Sequence, residues 1–137
     1  MDLKFRCWSK LLNKFITGDF KIVVMKSEKT HLRDSAGYYF CNYDEVELMI
    51  YTNMNDCDGK EIYEGDIVLC RSIFFTEFAG EVKFKDGCFI AVNEMSGDCF
   101  RLSELEIIKV DGNIYEDLSK LNDIRKCDDG GIRNDNN

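Results

Sequence analysis

The sequence predicts a mainly β protein, in which antiparallel strands form a barrel-like or rolled sheet and one short helix lies near the C-terminus. Three observations indicate this class. Turn-forming residues recur at short intervals along the 137-residue chain, β-branched and aromatic residues fill the segments between the turns, and little helical periodicity separates these segments. An SH3-like barrel core is among the forms that fit the pattern.

Strands are expected wherever such a segment lies between two turns. Glycine takes the positive φ that tight turns need, and Asp or Asn bonds to its own backbone there. The clearest hairpin joins strands 79–85 and 88–93 through Asp86-Gly87, because Asp-Gly favours a type I′ turn. The other strands are predicted at 3–8, 20–26, 37–43, 46–52, 66–71, 98–102 and 106–110, and a further turn at Asp111-Gly112-Asn113.

The only segment with convincing helical spacing comes late in the chain, over residues 116–126. Its apolar side chains recur with the period of a helix, acidic residues precede them and basic residues follow them, as the helix dipole favours, with Leu118, Leu121 and Ile124 on one face. Residues 128–137 have almost nothing to bury, so they are expected to form a disordered tail. With no domain-scale repeat and no linker, residues 1–127 are expected to form a single domain.

Charge is abundant and unevenly distributed. The 18 Lys and Arg residues against 26 Asp and Glu residues give a net charge of −8, which disfavours a general duplex-DNA binder. Residues 1–33 nevertheless hold eight of the basic residues and three of the acidic ones. The single histidine, His31, lies in a polar run and is expected in a solvated loop, so histidine-based catalysis is nearly excluded. Lys14, Asp19 and Lys21 interrupt every apolar run before a signal peptide could form, and no stretch is apolar enough for a membrane helix, so a cytosolic protein is expected.

Seven cysteines are many for this length, but their spacing does not indicate a metal site. No C-x-x-C pair occurs, and only His31 could complete a Cys/His zinc site. Cys41 and Cys70 lie within apolar segments, where a reduced thiol packs as a small hydrophobic group. We therefore expect free thiols in a reducing compartment, with no metal and no cofactor.

The most unusual stretch carries five carboxylates within residues 56–66. An EF-hand alignment fails, because its first ligand position falls on Met54 and its twelfth on Gly65. Two turns flanking a short strand, whose apolar residues enter the barrel, account for the residue types. A binding surface and, more remotely, a carboxylate-site enzyme are alternatives. The candidate contact residues are Asp56, Asp58, Glu61, Tyr63, Glu64 and Asp66.

The basic N-terminal region offers a second kind of surface. Aromatic and aliphatic residues that need burial are interleaved with its cations, which favours packing of this region within the fold. A nucleic-acid-binding face is the alternative, and it would use Lys4, Arg6, Lys10, Lys14, Lys21 and Lys26. A base-stacking platform is disfavoured, because residues 35–59 contain no Lys or Arg beside the aromatic residues Tyr38, Tyr39, Phe40 and Tyr43.

Several segments resemble the YopX family of phage and prophage proteins. The most specific is the Glu-Ile-Tyr-Glu-Gly-Asp-Ile-Val run at 61–68, which follows Leu-Met-Ile-Tyr-Thr at 48–52. Residues 4–8 are similar to the N-terminal strand of the family, 80–89 to its central hairpin and 107–116 to its C-terminal motif. The sequence departs from the family at Asn53-Met54, where Gly-Leu is usual, at Asp117-Leu118, where Asn-Pro is usual, and over most of residues 9–45.

The resemblance implies a barrel-like, mainly β protein made inside bacteria by a phage or prophage, and it implies no established activity. We therefore expect a small non-enzymatic accessory protein in the cytoplasm of the bacterial host. Its expected partner is a host or phage protein that meets the acidic surface. Nucleic-acid binding through the basic face is the second hypothesis, and carboxylate-based catalysis is the third. The edge of strand 46–52 leaves open a homo-oligomer.

Overall fold

The computed structural model describes residues 4–16, 20–23, 31–34, 39–42 and 45–126. The predicted tail, residues 128–137, lies outside these ranges. Contacts group the chain into two compact units, a first unit of Asp2–Ile50 and a second unit of Tyr51–Asn137. The predicted single domain of residues 1–127 stays a prediction. No helix in the described ranges is long and apolar enough to cross a membrane.

The first unit contains the predicted N-terminal strands and two that the sequence analysis missed. Its strands are β1 (Phe5–Ser9), β2 (Lys14–Ile16), β3 (Phe20–Val23), β4 (His31–Asp34), β5 (Tyr39–Asn42) and the first half of β6 (Val46–Asn55). β1 pairs antiparallel with both β2 and β6. Cys7 and Val46 are buried between these strands, and the Trp8 ring meets Phe15 edge to face at 4.9 Å.

The expectation of a loop around His31 is wrong. Residues 31–34 form the middle strand of a three-stranded sheet, in which β4 pairs antiparallel with β3 on one side and β5 on the other. Two neighbouring strands supply hydrogen-bonding partners along β4, and this pairing outweighs the polar composition that suggested a loop.

The second unit is built on one curled antiparallel sheet. The strands of this unit are β7 (Glu61–Tyr63), β8 (Asp66–Arg71), β9 (Glu77–Lys85), β10 (Cys88–Asn93), β11 (Asp98–Arg101) and β12 (Glu106–Asn113), with a 3-10 helix at Leu102–Glu104. The strand order in the curled sheet is β11-β10-β9-β8-β12, and each strand is hydrogen-bonded to its neighbours in that order. β7 pairs with the second half of β6. The mainly β class with antiparallel sheets is therefore confirmed.

The Asp86-Gly87 hairpin has the predicted conformation. Both residues have positive φ, 53° at Asp86 and 83° at Gly87, as a type I′ turn requires. The turn predicted at Asp111-Gly112-Asn113 is different, because β12 continues to Asn113 through a shift in register against β8. Gly112 is needed there: its φ is 136°, and a Cβ at this position would lie 2.5 Å from the Asp117 carboxylate.

The core of the second unit lies inside the curled sheet. Alternate residues of the strands point inward, so that apolar side chains from β7, β8, β9, β10 and β12 meet there. Ile62 on the short strand β7 is fully buried in this cluster, which confirms that apolar residues of the acidic segment enter the core. The cluster consists of Ile62, Val68, Cys70, Phe78, Val82, Ala91, Leu102, Leu105 and Ile107.

The C-terminal helix, α1 (Leu118–Ile124), packs on the outer side of the sheet. Leu121 and Ile124 are buried against Ile67 and the half-buried Ala79 and Ile114. Arg125 follows the helix and donates two hydrogen bonds, of 2.8 and 2.7 Å, to the buried carboxylate of Glu81 on β9. The Glu81 carboxylate raises the pKa of Arg125. The helix is two residues shorter at each end than the predicted 116–126.

Candidate functional site

Asp56 organises the turn between β6 and β7. Its Oδ1 accepts hydrogen bonds from the backbone N–H groups of Asp58 (2.9 Å) and Lys60 (2.8 Å), and its Oδ2 accepts one from Val110 on β12 (2.9 Å). Burial by itself would raise the pKa of Asp56, but these three hydrogen bonds and the charge of Lys60 outweigh burial and lower the pKa. The ionised carboxylate therefore connects the turn to β12 through hydrogen bonds.

Cys57 adds a second connection between the same turn and β12. Its backbone N–H and its thiol both donate to the carbonyl oxygen of Ile107, each at 3.1 Å. Gly59 has a φ of 83°, which glycine adopts without strain. The turn is thus attached to β12 at two points, and the exposed Asp58 lies within it.

Asp66 performs a similar task at the other turn of the acidic segment. It is fully buried, and its Oδ2 accepts a hydrogen bond from the backbone N–H of Tyr63 at 2.8 Å. The neighbouring Gly65 donates to the carbonyl oxygen of Val82 and accepts from the backbone N–H of Ile114, each at 2.9 Å. The Glu-Gly-Asp sequence is therefore a structural joint between β7, β9 and the end of β12.

These contacts correct the predicted acidic surface. Asp56 and Asp66 are buried and bonded to backbone N–H groups, so they are not available to a partner. The structure also separates the two turns: the first contacts Ile107 and Val110 and the second contacts Ile114, four to seven residues or roughly 13 to 23 Å further along the chain at ~3.3 Å per residue. Glu64 therefore does not lie beside Asp58.

Glu61 and Tyr63 lie on β7, which follows the turn that contains Asp58. Glu61 pairs in register with Asn55 where β6 meets β7, and its carboxylate accepts a 3.1 Å hydrogen bond from the hydroxyl of Tyr63. The Tyr63 ring stacks obliquely on Tyr51, with centroids 5.4 Å apart. Tyr63 and Glu61 are half-buried, whereas Asp58 is exposed.

An ion-pair cluster that the sequence did not reveal connects β8, β9 and β12. Arg71, at the end of β8, contacts Glu77 on β9 at 2.7 Å and Glu106 on β12 at 2.8 Å. Hydrogen bonding and charge from Glu77 raise the pKa of Arg71 most strongly, and Glu106 adds to the effect. Glu106 is 35 positions from Arg71, and the pairing of β8 with both neighbouring strands brings the three residues together.

Among the described residues, one run of three exposed apolar side chains was not predicted from the sequence. Ile73, Phe74 and Phe75, here named the apolar tip, connect β8 to β9 and are 72%, 72% and 84% exposed. Residues 72–78 lie between two of the predicted strands and were assigned to neither. Three successive apolar residues with no Gly, Pro, Asn or Asp among them were the available signal, because a connecting loop is ordinarily polar.

Of the predicted basic face, the structure describes the side chains of Lys4, Arg6, Lys10 and Lys14. Lys10 pairs with Glu47 at 3.0 Å, and the Arg6 guanidinium lies over the Phe15 ring, 4.9 Å from its centroid. Lys4 and Lys14 are exposed. Lys21 lies on β3, where only the backbone is described, and Lys26 lies outside the described residues. Tyr39 and Phe40 lie on β5, and Tyr38 and Tyr43 are outside the described residues.

The described cysteines differ in their exposure. Cys70 is buried, as predicted for a small hydrophobic group, and so is Cys7, whereas Cys88 is half-buried and Cys57 and Cys99 are exposed. Burial, with a smaller contribution from Asp98, raises the pKa of Cys70 to about 12. The Cys70 thiol is therefore protonated and unreactive in the folded protein.

Two depressions lie on the second unit, with volumes of about 510 and 340 Å³. The larger is lined by Lys85, Arg101 and Glu104 among others, and the smaller by Met54, Phe84 and Phe89 among others. Neither is lined by any of the acidic candidates.

The fold defines a mainly β protein with antiparallel sheets and a short C-terminal helix. The chain belongs to the YopX family: the family model described as YopX protein matches residues 4–122. Among solved structures, it is similar to the crystal structure of protein yopX from Bacillus subtilis, with a TM-score of 0.57 and 19% sequence identity over 82% of this chain and 92% of that chain. At this identity the likeness shows the fold alone. No curated protein matches the sequence.

Proposed function

We propose that this chain is a non-enzymatic phage or prophage accessory protein that binds a host or phage protein in the bacterial cytoplasm. Its contact surface is an acidic rim at one end of the second unit, which we define as Asp58, Glu61, Glu77 and Glu106. The observation that carries the proposal is the double attachment of the β6–β7 turn, which carries the exposed Asp58, to Val110 and Ile107 on the strand that begins at Glu106.

The charges of the rim favour a partner with a basic surface. Lys60 and Arg71 offset two of the four carboxylates, so the rim keeps a net negative charge in a chain of net charge −8. Complementary charge mainly accelerates association and improves the choice of partner, and it adds less to affinity. The absence of the acidic candidates from both depressions supports binding rather than catalysis as their role.

The first experiment is affinity capture from a bacterial lysate with the tagged full-length chain, with and without nuclease. We expect a protein that remains bound after nuclease treatment. Recovery of nucleic acid, with a steep dependence of binding on salt, would instead favour the basic residues Lys4, Lys14 and their neighbours as the contact surface.

The second experiment compares two charge reversals in binding kinetics with the purified captured protein. Asp58→Lys replaces a negative charge of the rim with a positive one, and Asp123→Lys makes the same change on an exposed residue of α1. An exposed ion pair contributes about 0.2–1 kcal/mol, so Asp58→Lys should slow association by a factor of roughly 1.5 to 5 at low salt, and the difference should vanish at high salt. Equal rates for the two variants would contradict a role for the rim.

A further inference from the structure

We propose that the apolar tip, Ile73–Phe75, inserts into an apolar pocket of a protein partner whose rim is basic. The inference rests on the proposed function and names the chemistry of that partner. A single exposed apolar side chain is ordinary on a protein surface, and Met95 on its turn and Leu118 on α1 are such cases. Three successive ones at the end of a hairpin are not.

The backbone holds the tip in one conformation. The backbone N–H of Ser72 donates to the carbonyl oxygen of Thr76, and that of Phe75 donates to the carbonyl oxygen of Ser72, each at 2.9 Å. The buried Ser72 hydroxyl accepts from the backbone N–H groups of Phe74 (3.2 Å) and Thr76 (3.3 Å). The loop therefore presents its side chains to solvent without the ordering cost that a flexible loop meets on binding.

Phe75 adopts a backbone conformation that its side chain disfavours. Its φ is 62°, in the left-handed region where bulky residues are outliers and where Asn or Gly is ordinary. Neither folding nor burial explains the choice of Phe, because the ring is 84% exposed. An unfavourable backbone that carries an exposed aromatic ring is the pattern of a residue retained for contact with another molecule.

The charges at the base of the apolar tip favour some classes of binding partner over others. The Arg71 guanidinium is already shared by Glu77 and Glu106, and the three groups together carry a net negative charge. An anionic membrane surface or a nucleic acid would be repelled by this base. A convex apolar tip above carboxylates instead fits an apolar pocket with cations around its opening, and aromatic side chains are frequent anchors in such pockets.

The decisive variant is Phe75→Asn, tested on the full-length chain. Asn accepts positive φ, so we expect the melting temperature to rise by a few degrees. The same variant should weaken binding of the captured, purified protein by about tenfold or more, mainly through faster dissociation. Phe74→Ser should weaken binding similarly, and the matched control Leu118→Ser, at a residue 61% exposed on α1, should leave it unchanged.

The outcomes separate this proposal from the proposed function. Unchanged affinity of Phe75→Asn, together with slowed association of Asp58→Lys, overturns the tip and retains the rim. Weakened binding of Phe75→Asn, with equal rates for Asp58→Lys and Asp123→Lys, supports the tip and overturns the rim. Capture of no protein overturns both.

Two further measurements test whether the apolar tip binds a membrane or a second copy of this chain. Flotation with vesicles of phosphatidylcholine and of phosphatidylcholine with phosphatidylglycerol should show no binding that depends on Phe75. Light scattering of the wild type and of Phe75→Asn should give the same mass. Vesicle binding or self-association that the variant abolishes overturns the assignment of a protein pocket as the occupant.

Discussion

Replacing Asp56 with alanine is expected to lower the free energy of unfolding by roughly 2–4 kcal/mol, because the charged acceptor of three backbone N–H groups disappears. Two of these donors, Asp58 and Lys60, close the β6–β7 turn, and the third, Val110, belongs to β12. The turn would lose one of its two connections to β12 and the side-chain hydrogen bonds that help to close it. Urea denaturation at neutral pH, followed by circular dichroism, measures the difference. A loss below about 0.5 kcal/mol, the usual effect of a surface substitution, would contradict this role.

The same carboxylate gives the stability a definite dependence on pH. The pKa of Asp56 is lowered in the folded protein below its ordinary value of 3.8. Its contribution is therefore present above that pH and is lost as the pH falls through the lower, folded pKa. We expect the stability difference between the wild type and Asp56→Asn to be constant from pH 5 to 7 and to shrink below about pH 4. A difference that grew on acidification would show that the native state favours the protonated acid.

Replacing Ile62 with alanine is expected to lower the free energy of unfolding by about 2–5 kcal/mol. The side chain is fully buried in the core of the second unit, although it lies on a strand of three residues in the middle of the acidic segment. Truncation removes apolar contacts and leaves a cavity that the curled sheet cannot fully close.

Ile73→Ala is the matched control for this change, because the same atoms are removed from a side chain that is 72% exposed. The control should change the stability by less than about 0.5 kcal/mol. Similar losses in both variants would mean that β7 does not contribute to the core as described.

Local chemistry predicted the elements that depend on neighbouring residues. The Asp86-Gly87 turn followed from the positive φ that a type I′ turn requires, and β8 and β10 were predicted with the bounds they have, because β-branched and aromatic residues fill them. The strand at 31–34 was not predicted by this reasoning, because most of its residues are polar and its backbone is paired with a strand on each side. The turn predicted at Gly112 was wrong for a related reason: this glycine lies within β12, where it leaves room for the Asp117 carboxylate.

The candidate site was less accessible to sequence reasoning. Clustered carboxylates predicted a surface, yet Asp56 and Asp66 are buried acceptors for backbone N–H groups. Burial of a carboxylate depends on donors such as Val110, which is 54 positions away, so spacing within the segment could not reveal it. The Arg71 cluster was hidden for the same reason.

The run that resembles the YopX family thus acquires a structural meaning. Gly65 and Asp66 join three strands, and Ile62 fills the core between the two turns. These residue types specify how the sheet closes. The resemblance therefore identifies the fold, and the proposed contact residues of the apolar tip lie outside the matching run.

The buried thiol of Cys70 allows transient opening of the folded protein to be measured by alkylation. Its pKa of about 12 and its position inside β8 protect it from alkylating reagents, whereas Cys57 and Cys99 stand in contact with solvent. A pulse of such a reagent should modify the exposed Cys57 and Cys99 first, and it should reach Cys70 only in molecules in which β8 has transiently opened. Mass spectrometry of the labelled chain would then time that opening without any introduced probe.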